Sequence, residues 1–386
     1  MIPYGRHEIT DNDVAAVVDV LRSDFLTQGS SVPAFEDKFA KYCEVSHAIA
    51  VNSATSALHL ACLALGVGED DVVWTSPITF VASANCALYC GASVDFVDID
   101  SVTYNMCPEK LSAKLRDAAI NGVLPKVVIP VHLTGQSCDM EKIHILSEEY
   151  GFQIIEDASH AVGGLYKGES IGSCKYSDIC VFSFHPVKII TTGEGGMILT
   201  NNSVLADKMA RLRSHGITRD PASMTNQNPE PWYYEQIELG LNYRMTDLQA
   251  ALGISQMERL DEYVAVRNQL AQRYDALLTD FALTIPFQSQ GCYSSRHLYV
   301  IRLNLEEIDR SRRQVFEYLR EHGVGVQIHY IPVPCQPYYK NMGFCGKNYP
   351  NGLSYYQEAI SIPLFPTMTT EQQDKVVAVL REALMP

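Results

Sequence analysis

Phe182-Ser183-Phe184-His185-Pro186-Val187-Lys188-Ile189-Ile190-Thr191-Thr192-Gly193-Glu194-Gly195-Gly196 decides the reading of this chain. A single lysine stands among an aromatic-flanked serine, a histidine and two threonines, and a Gly-Glu-Gly-Gly turn follows. Upstream lies Ile154-Ile155-Glu156-Asp157-Ala158-Ser159-His160, an apolar run ending in an acid. Each piece alone has an ordinary explanation. A lysine after a strand is commonly a solvated surface residue, and an aspartate at a strand end commonly forms a turn or caps a helix. Together they satisfy the needs of one chemistry.

The surrounding pattern places both motifs on one kind of scaffold. Short apolar runs read as strands at His47–Asn52, Val72–Ser76, Ser93–Asp98, Val127–His132, Gln153–Glu156, Asp178–Phe184 and Met197–Thr200. Helical patterns follow several of them, at Ser56–Leu65, Ala82–Tyr89 and Met140–Tyr150. Strands alternating with helices predict an α/β fold with a mainly parallel sheet. The last two strands are so close in sequence that they can pair without a helix between them. Lysine and acid then sit at neighbouring strand ends. That is the arrangement pyridoxal 5'-phosphate requires: an amine to bond its aldehyde and a carboxylate to face its ring nitrogen.

Outside this stretch, a helix is expected from Thr10, with Asp13 completing a capping box and Val14, Val17, Val18 and Leu21 on one face. Residues 203–215 read as a helix. The polar, Pro-rich stretch Thr218–Glu230 reads as a mobile or substrate loop. One long helical pattern runs from Thr246 to Leu278. The remainder reads as a smaller α+β unit with strands near His297–Leu303 and Gly325–His329. The expected division is a large cofactor-binding α/β domain over 1–250, its segment 1–30 near the substrate, and a small domain over 251–386.

Composition narrows the function classes. The chain has 386 residues and a formal net charge of −15, which argues against nucleic acid or an anionic membrane surface as a partner. The eleven cysteines are scattered singly, without zinc-site spacing, and read as reduced, hence a cytoplasmic protein. No apolar leader and no membrane-length run is seen, and no metal site is expected.

Candidate ligand-holding residues follow the strands. Ser53-Ala54-Thr55-Ser56-Ala57-Leu58 opens a helix, where N–H groups and the helix dipole favour an anion. Small residues there let a phosphate approach, Thr55 adds a hydroxyl, and Ser53 can also cap the helix. Phe80, in Ile78-Thr79-Phe80-Val81-Ala82, can stack on a cofactor ring or pack in the core. His160 can brace the site, contact the ring hydroxyl or be a core histidine. Ser183 can donate to a phosphate.

As a set, Asn52–Leu58, Pro77–Ala82, Asp157-Ala158-Ser159-His160-Ala161, Phe182–His185 with Lys188, Thr191–Gly196 and Arg213-Ser214-His215-Gly216 resemble the DegT/DnrJ/EryC1/StrS sugar aminotransferases. The similarity runs from Leu26-Thr27-Gln28-Gly29 to Val326-Gln327-Ile328-His329-Tyr330. It implies the fold-type I architecture of pyridoxal phosphate enzymes. Lys188 would bond the cofactor and carry protons, Asp157 would face the ring nitrogen, and Phe80 would stack on the ring. Ala54, Thr55 and Ser183 would hold the phosphate beside His160. Asn242, in Gly240-Leu241-Asn242-Tyr243-Arg244, would reach the phosphate of a neighbouring subunit, making a homodimer with shared sites. Tyr4, Thr27, Gly29, Arg244, His329 and Tyr330 would border the substrate. Many family members carry Gln where His160 stands. The His is shared with the pseudaminic acid branch, whose members transfer an amino group from L-glutamate to C4 of a UDP-linked keto sugar. Amination at C3 or of another keto sugar stays open. A sugar dehydratase on the same fold is disfavoured by Lys188, and a non-catalytic sensor by the intact set.

Overall fold

The strands anticipated from the apolar runs assemble into one seven-stranded sheet, in the order His47–Val51, Gly196–Thr200, Ile179–Ser183, Gln153–Asp157, Val127–Ile129, Val72–Thr75, Ser93–Phe96. The structure, a computed structural model, describes residues 1–226 and 229–385. Five strands run parallel as neighbours, from Ile179–Ser183 to Ser93–Phe96. Gly196–Thr200 is antiparallel to both of its neighbours. It follows Ile179–Ser183 without an intervening helix, as the sequence spacing allowed. The strand residues are almost continuously apolar because helices cover both faces.

That one reversed strand builds the site. Gly196 pairs with Val51 on one side and with Ser183 on the other. The chain leaving Val51 and the chain leaving Ser183 therefore emerge together, although far apart in sequence. Gly196 must be glycine there. A Cβ would lie 2.7 Å from the Ala54 amide nitrogen and from the Ser53 carbonyl atoms.

Helix starts follow their caps. Thr10 and Asp13 form the expected box at Asp11–Leu21, and Asn202 caps Ser203–Leu212, a shorter helix than the pattern over 203–215 suggested. The helical pattern from Thr246 to Leu278 is two helices, Asp247–Met257 and Leu260–Leu277. The break comes where Arg259 turns to the buried Asp13 carboxylate, donating from Nη2 at 2.7 and 2.9 Å. The second helix serves two cores. Leu260, Tyr263 and Val264 pack with Phe35, Phe39 and Phe184, whereas Ala271 and Tyr274 pack with Tyr299, Val376 and Ile2.

The C-terminal sheet is antiparallel, with Tyr299–Leu303 between Leu283–Thr284 and Ala359–Ile362. The strand expected near Gly325–His329 does not form. Its backbone bonds Ser361 through Gln327 alone, at 3.2 and 2.8 Å, and the chain then meets Pro332 and Pro334, which lack amide hydrogens. The N-terminus is fastened to this part. Ile2 N–H donates to Gly323, Gly325 N–H to Ile2, and Leu364 N–H to Tyr4.

Of the stretch Thr218–Glu230, positions 227 and 228 lie outside the described residues. The preceding part is pinned by the Glu235 carboxylate, which accepts from the Thr225 and Asn226 amides at 2.8 Å each. Among the described residues no helix is long and apolar enough to cross a membrane.

Candidate active site

The C-terminal ends of the parallel strands open into a cavity of about 450 Å³. This is where open α/β sheets place their ligands. Tyr4, Ala54, Thr55, Phe80, Asp157, His160, Ser183, Lys188, His329 and Tyr330 all line it. Ten candidates from six separate stretches of sequence thus meet in one place.

Lys188 sits on a loop stitched to itself. Phe184 N–H donates to Gly195, Thr192 N–H to Phe184, and Thr191 Oγ1 to the Phe184 carbonyl. Gly193, with φ of 81°, takes the left-handed turn that lets the loop return. The Lys188 amine has no hydrogen-bond or ion-pair partner among the described residues. Burial lowers its pKa to about 8, against the opposing pull of the Asp157 charge. About a tenth of such an amine is neutral at pH 7.

Asp157 is held from three sides. Ser83 Oγ donates to one oxygen at 2.6 Å. The Ser159 amide and hydroxyl donate to the other at 3.1 and 2.6 Å. Ser159 was not singled out in the sequence, although a hydroxyl two residues after an aspartate is a local turn pattern that could have found it. Ser83 was missed, because nothing local links it to an acid so far along the chain. Its helix, Ala82–Tyr89, follows the Val72–Thr75 strand, and the sheet order alone brings it over Asp157.

The phosphate candidates form a cluster of donors. Ser53 caps Ala54–Ala64 by accepting from the Ser56 amide at 3.1 Å. The Ala54 and Thr55 amides, one position inside the helix, make no hydrogen bond among the described residues, as expected for a first turn. The Thr55 and Ser183 hydroxyls also have hydrogens to give. Two backbone amides, two hydroxyls and a helix N-terminus at one spot suit a phosphate dianion. Together with a partnerless amine and a fixed carboxylate, this donor set fits pyridoxal phosphate.

His160 is a buried brace. The Thr134 amide donates to Nδ1 at 3.3 Å, so the ring proton resides on Nε2 and is given to Tyr330 Oη at 3.1 Å. The Tyr330 hydrogen is then left to face the cavity. Burial first, then the charges of Lys188 and His329, holds His160 well below its ordinary pKa. His329 falls to about 3, from burial and then from Lys188. Its Nδ1 pairs with Ser361 Oγ at 2.7 Å. Both histidines are therefore neutral near pH 7, where Lys188 keeps most of its charge. Phe80 is not core: it is 59% exposed at the rim, its ring 6.2 Å from that of Tyr330.

Four expected residues lie elsewhere. Asp247 accepts from the Gly29, Ser31 and Val32 amides at 2.8, 2.7 and 3.2 Å, which folds the Thr27–Gly29 loop onto the start of Ser31–Cys43. Gly29 and Arg244 consequently line a separate groove of about 230 Å³, and Thr27 is exposed. The Asn242 segment pairs with Ser214, and Arg244 with Val51. The Asn242 side chain is exposed and has no partner among the described residues. Within one chain, Thr27, Gly29, Asn242 and Arg244 do not reach the cavity.

The profile of the DegT/DnrJ/EryC1/StrS aminotransferase family matches residues 7–381. The spore coat polysaccharide biosynthesis protein SpsC of Bacillus subtilis is 38% identical over 384 residues, 99% of this chain and 96% of that protein. The UDP-4-amino-4,6-dideoxy-N-acetyl-beta-L-altrosamine transaminase of Campylobacter jejuni is 39% identical over 371 residues, 95% of this chain and 93% of that protein. The solved structure of Helicobacter pylori PseC, an aminotransferase of pseudaminic acid biosynthesis, superposes with a TM-score of 0.89 at 28% identity, covering 99% of each chain.

Proposed function

Because this chain belongs to the DegT/DnrJ/EryC1/StrS aminotransferase family, we propose that it moves the amino group of L-glutamate to C4 of a UDP-linked 4-keto-6-deoxy-N-acetylhexosamine. The protein is a sugar aminotransferase, and its cofactor is pyridoxal 5'-phosphate. What supports the finer reading is the 39% identity to a transaminase named for that product. The 38% identity to SpsC supports a second reading, amination of a different keto sugar.

The chemistry that bound pyridoxal phosphate supplies is an aldehyde that can carry an amino group and a ring that can accept an electron pair. The residues would do the rest. We assign Ala54, Thr55 and Ser183 to the phosphate, and Asp157 to the ring nitrogen, whose proton its charge keeps in place. Phe80, at the mouth of the cavity, would cover the ring. Lys188, with a pKa near 8, can accept the α-proton of glutamate at Nζ and hand it back, since its two protonation states are close in energy. The fixed His160 tautomer leaves Tyr330 as a hydrogen-bond donor toward the substrate side. Tyr4, His329 and Tyr330 line the same cavity and would border the substrate.

A panel of UDP- and dTDP-linked keto sugars, assayed with glutamate for product amine, tests the substrate. The UDP-linked 4-keto sugar is expected to turn over at least about tenfold faster than the others, the discrimination that one well-made contact supplies. Faster turnover of a dTDP-linked or 3-keto sugar overturns the assignment.

Asn242, exposed and partnerless, is proposed to serve the site of a second copy in a homodimer. Lys188→Ala and Asn242→Ala protomers, each impaired alone, are expected to regain activity when mixed and exchanged. The heterodimer then holds one site with both residues intact. A verified heterodimer without recovery assigns Asn242 to its own subunit's site instead.

A further inference from the structure

Between the Val72–Thr75 strand and the Ala82–Tyr89 helix, buried Thr79 lines the cavity. Its Oγ1 lies 2.7 Å from Ser83 Oγ, and Ser83 is buried as well. Ser83 Oγ lies in turn 2.6 Å from Asp157 Oδ2. Three side chains thus stand in line, from the cavity wall to the acid. In the sheet, Val127–Ile129 separates the strand before Thr79 from the strand that ends at Asp157. Nothing local requires this line.

The line has one direction. A carboxylate only accepts, and a serine has one hydrogen to give. Ser83 gives it to Asp157 at 2.6 Å rather than to the Phe80 carbonyl at 3.4 Å. Thr79 must then give its own hydrogen to Ser83. Successive hydrogen bonds in such a chain polarise one another. The two Asp157 oxygens are consequently unlike. Oδ1 accepts from the Ser159 amide and hydroxyl, which occupies both of its lone pairs. Oδ2 accepts from Ser83 alone and keeps one lone pair, in a residue that lines the cavity.

We infer that Oδ2 is the oxygen that meets the cofactor's ring nitrogen, and that Thr79 and Ser83 are positioning residues that aim it. This rests on the assignment of Asp157 to that nitrogen. The terminal torsion of an aspartate is otherwise broad. Ser159 holds one oxygen from within the same short segment. Ser83, backed by Thr79, holds the other from a different element, and a carboxylate held at both oxygens cannot rotate. If the two hydroxyls only satisfied one another, losing either would change stability and leave the cofactor's ring as it was.

Thr79→Val removes the first hydroxyl at nearly constant shape, and Ser83→Ala removes the second. Thr79→Ser keeps the hydroxyl and drops the methyl. Each holoenzyme is prepared with cofactor isotopically labelled at its ring nitrogen, beside wild type and Asp157→Asn. The NMR resonance of that nitrogen is read in the resting enzyme, and the single-turnover half-reaction with glutamate is timed. Asp157→Asn marks the resonance of a ring without its acid. Ser83→Ala is expected to move toward it and to slow the half-reaction about ten- to a hundredfold, the worth of one hydrogen bond to a charged group. Thr79→Val is expected to move the same way by less, because its hydroxyl acts through Ser83. Thr79→Ser is expected to stay with wild type in both readouts. A wild-type resonance and rate in either Thr79→Val or Ser83→Ala, with Asp157→Asn displaced, overturns this inference and leaves Asp157 in its role. An undisplaced Asp157→Asn overturns the assignment of Asp157, and this inference with it. Thr79→Ser as impaired as Thr79→Val also overturns it, since packing and not the hydroxyl would then matter. Thr79→Val decides the question if Ser83→Ala does not fold.

Discussion

Lys188→Ala is expected to lose transamination by more than about a hundredfold, because removing one acid–base group typically costs 10²–10⁴-fold and the proposed role of this residue includes bonding the cofactor. Lys188→Arg is expected to fare no better, since a guanidinium stays protonated and cannot take up a proton. The fold is expected to persist. The Lys188 amine has no partner to strand, and a buried amine without one is itself unfavourable. The melting midpoint of Lys188→Ala, measured without added cofactor, should equal or exceed that of wild type. Product amine formation and a thermal scan check the two halves. Retention of more than about a hundredth of wild-type turnover would falsify the catalytic role.

Asp157→Asn should keep the cofactor bound and slow the half-reaction with glutamate. The proposed phosphate donors at Ala54, Thr55 and Ser183, which line the same cavity, are untouched. The amide can still meet Ser83 and Ser159, because its oxygen accepts and its nitrogen can turn to a hydroxyl oxygen. What is lost is the charge that favours a protonated ring nitrogen. Removing one partner of a buried charge pair costs about 3–5 kcal/mol, which is roughly 10²–10⁴-fold in rate. A single-turnover mix with glutamate reads the loss directly. Near-normal rates would reduce Asp157 to a structural residue.

The strands were legible because a sheet covered on both faces writes each strand as an apolar run, and the runs at Val72 and Gln153 match the observed strands to within a residue at each end. Capping chemistry is equally local, so Thr10 with Asp13 was readable. Elements decided at a distance were not. The break at Arg259 depends on Asp13, and the failed strand near Gly325–His329 depends on a partner that meets it at Gln327 alone.

The same division runs through the site. By itself the sequence determined the chemistry: a lysine, an acid and a small-residue helix start, each after a strand, because those side chains and backbone groups carry their reactivity wherever they are placed. Tertiary structure decided which of them meet. The reversed strand Gly196–Thr200 sets Ser183 beside the Ala54 helix, and the sheet order lays Ser83 over Asp157. It also decided the state of each group. Burial without a partner takes Lys188 to about 8. Thr27, Gly29, Arg244 and Asn242 carried the same family signature as the rest. Asp247 and the pairing with Val51 and Ser214 fix them outside the cavity, since hydrogen bonds made across the fold set where a loop ends up.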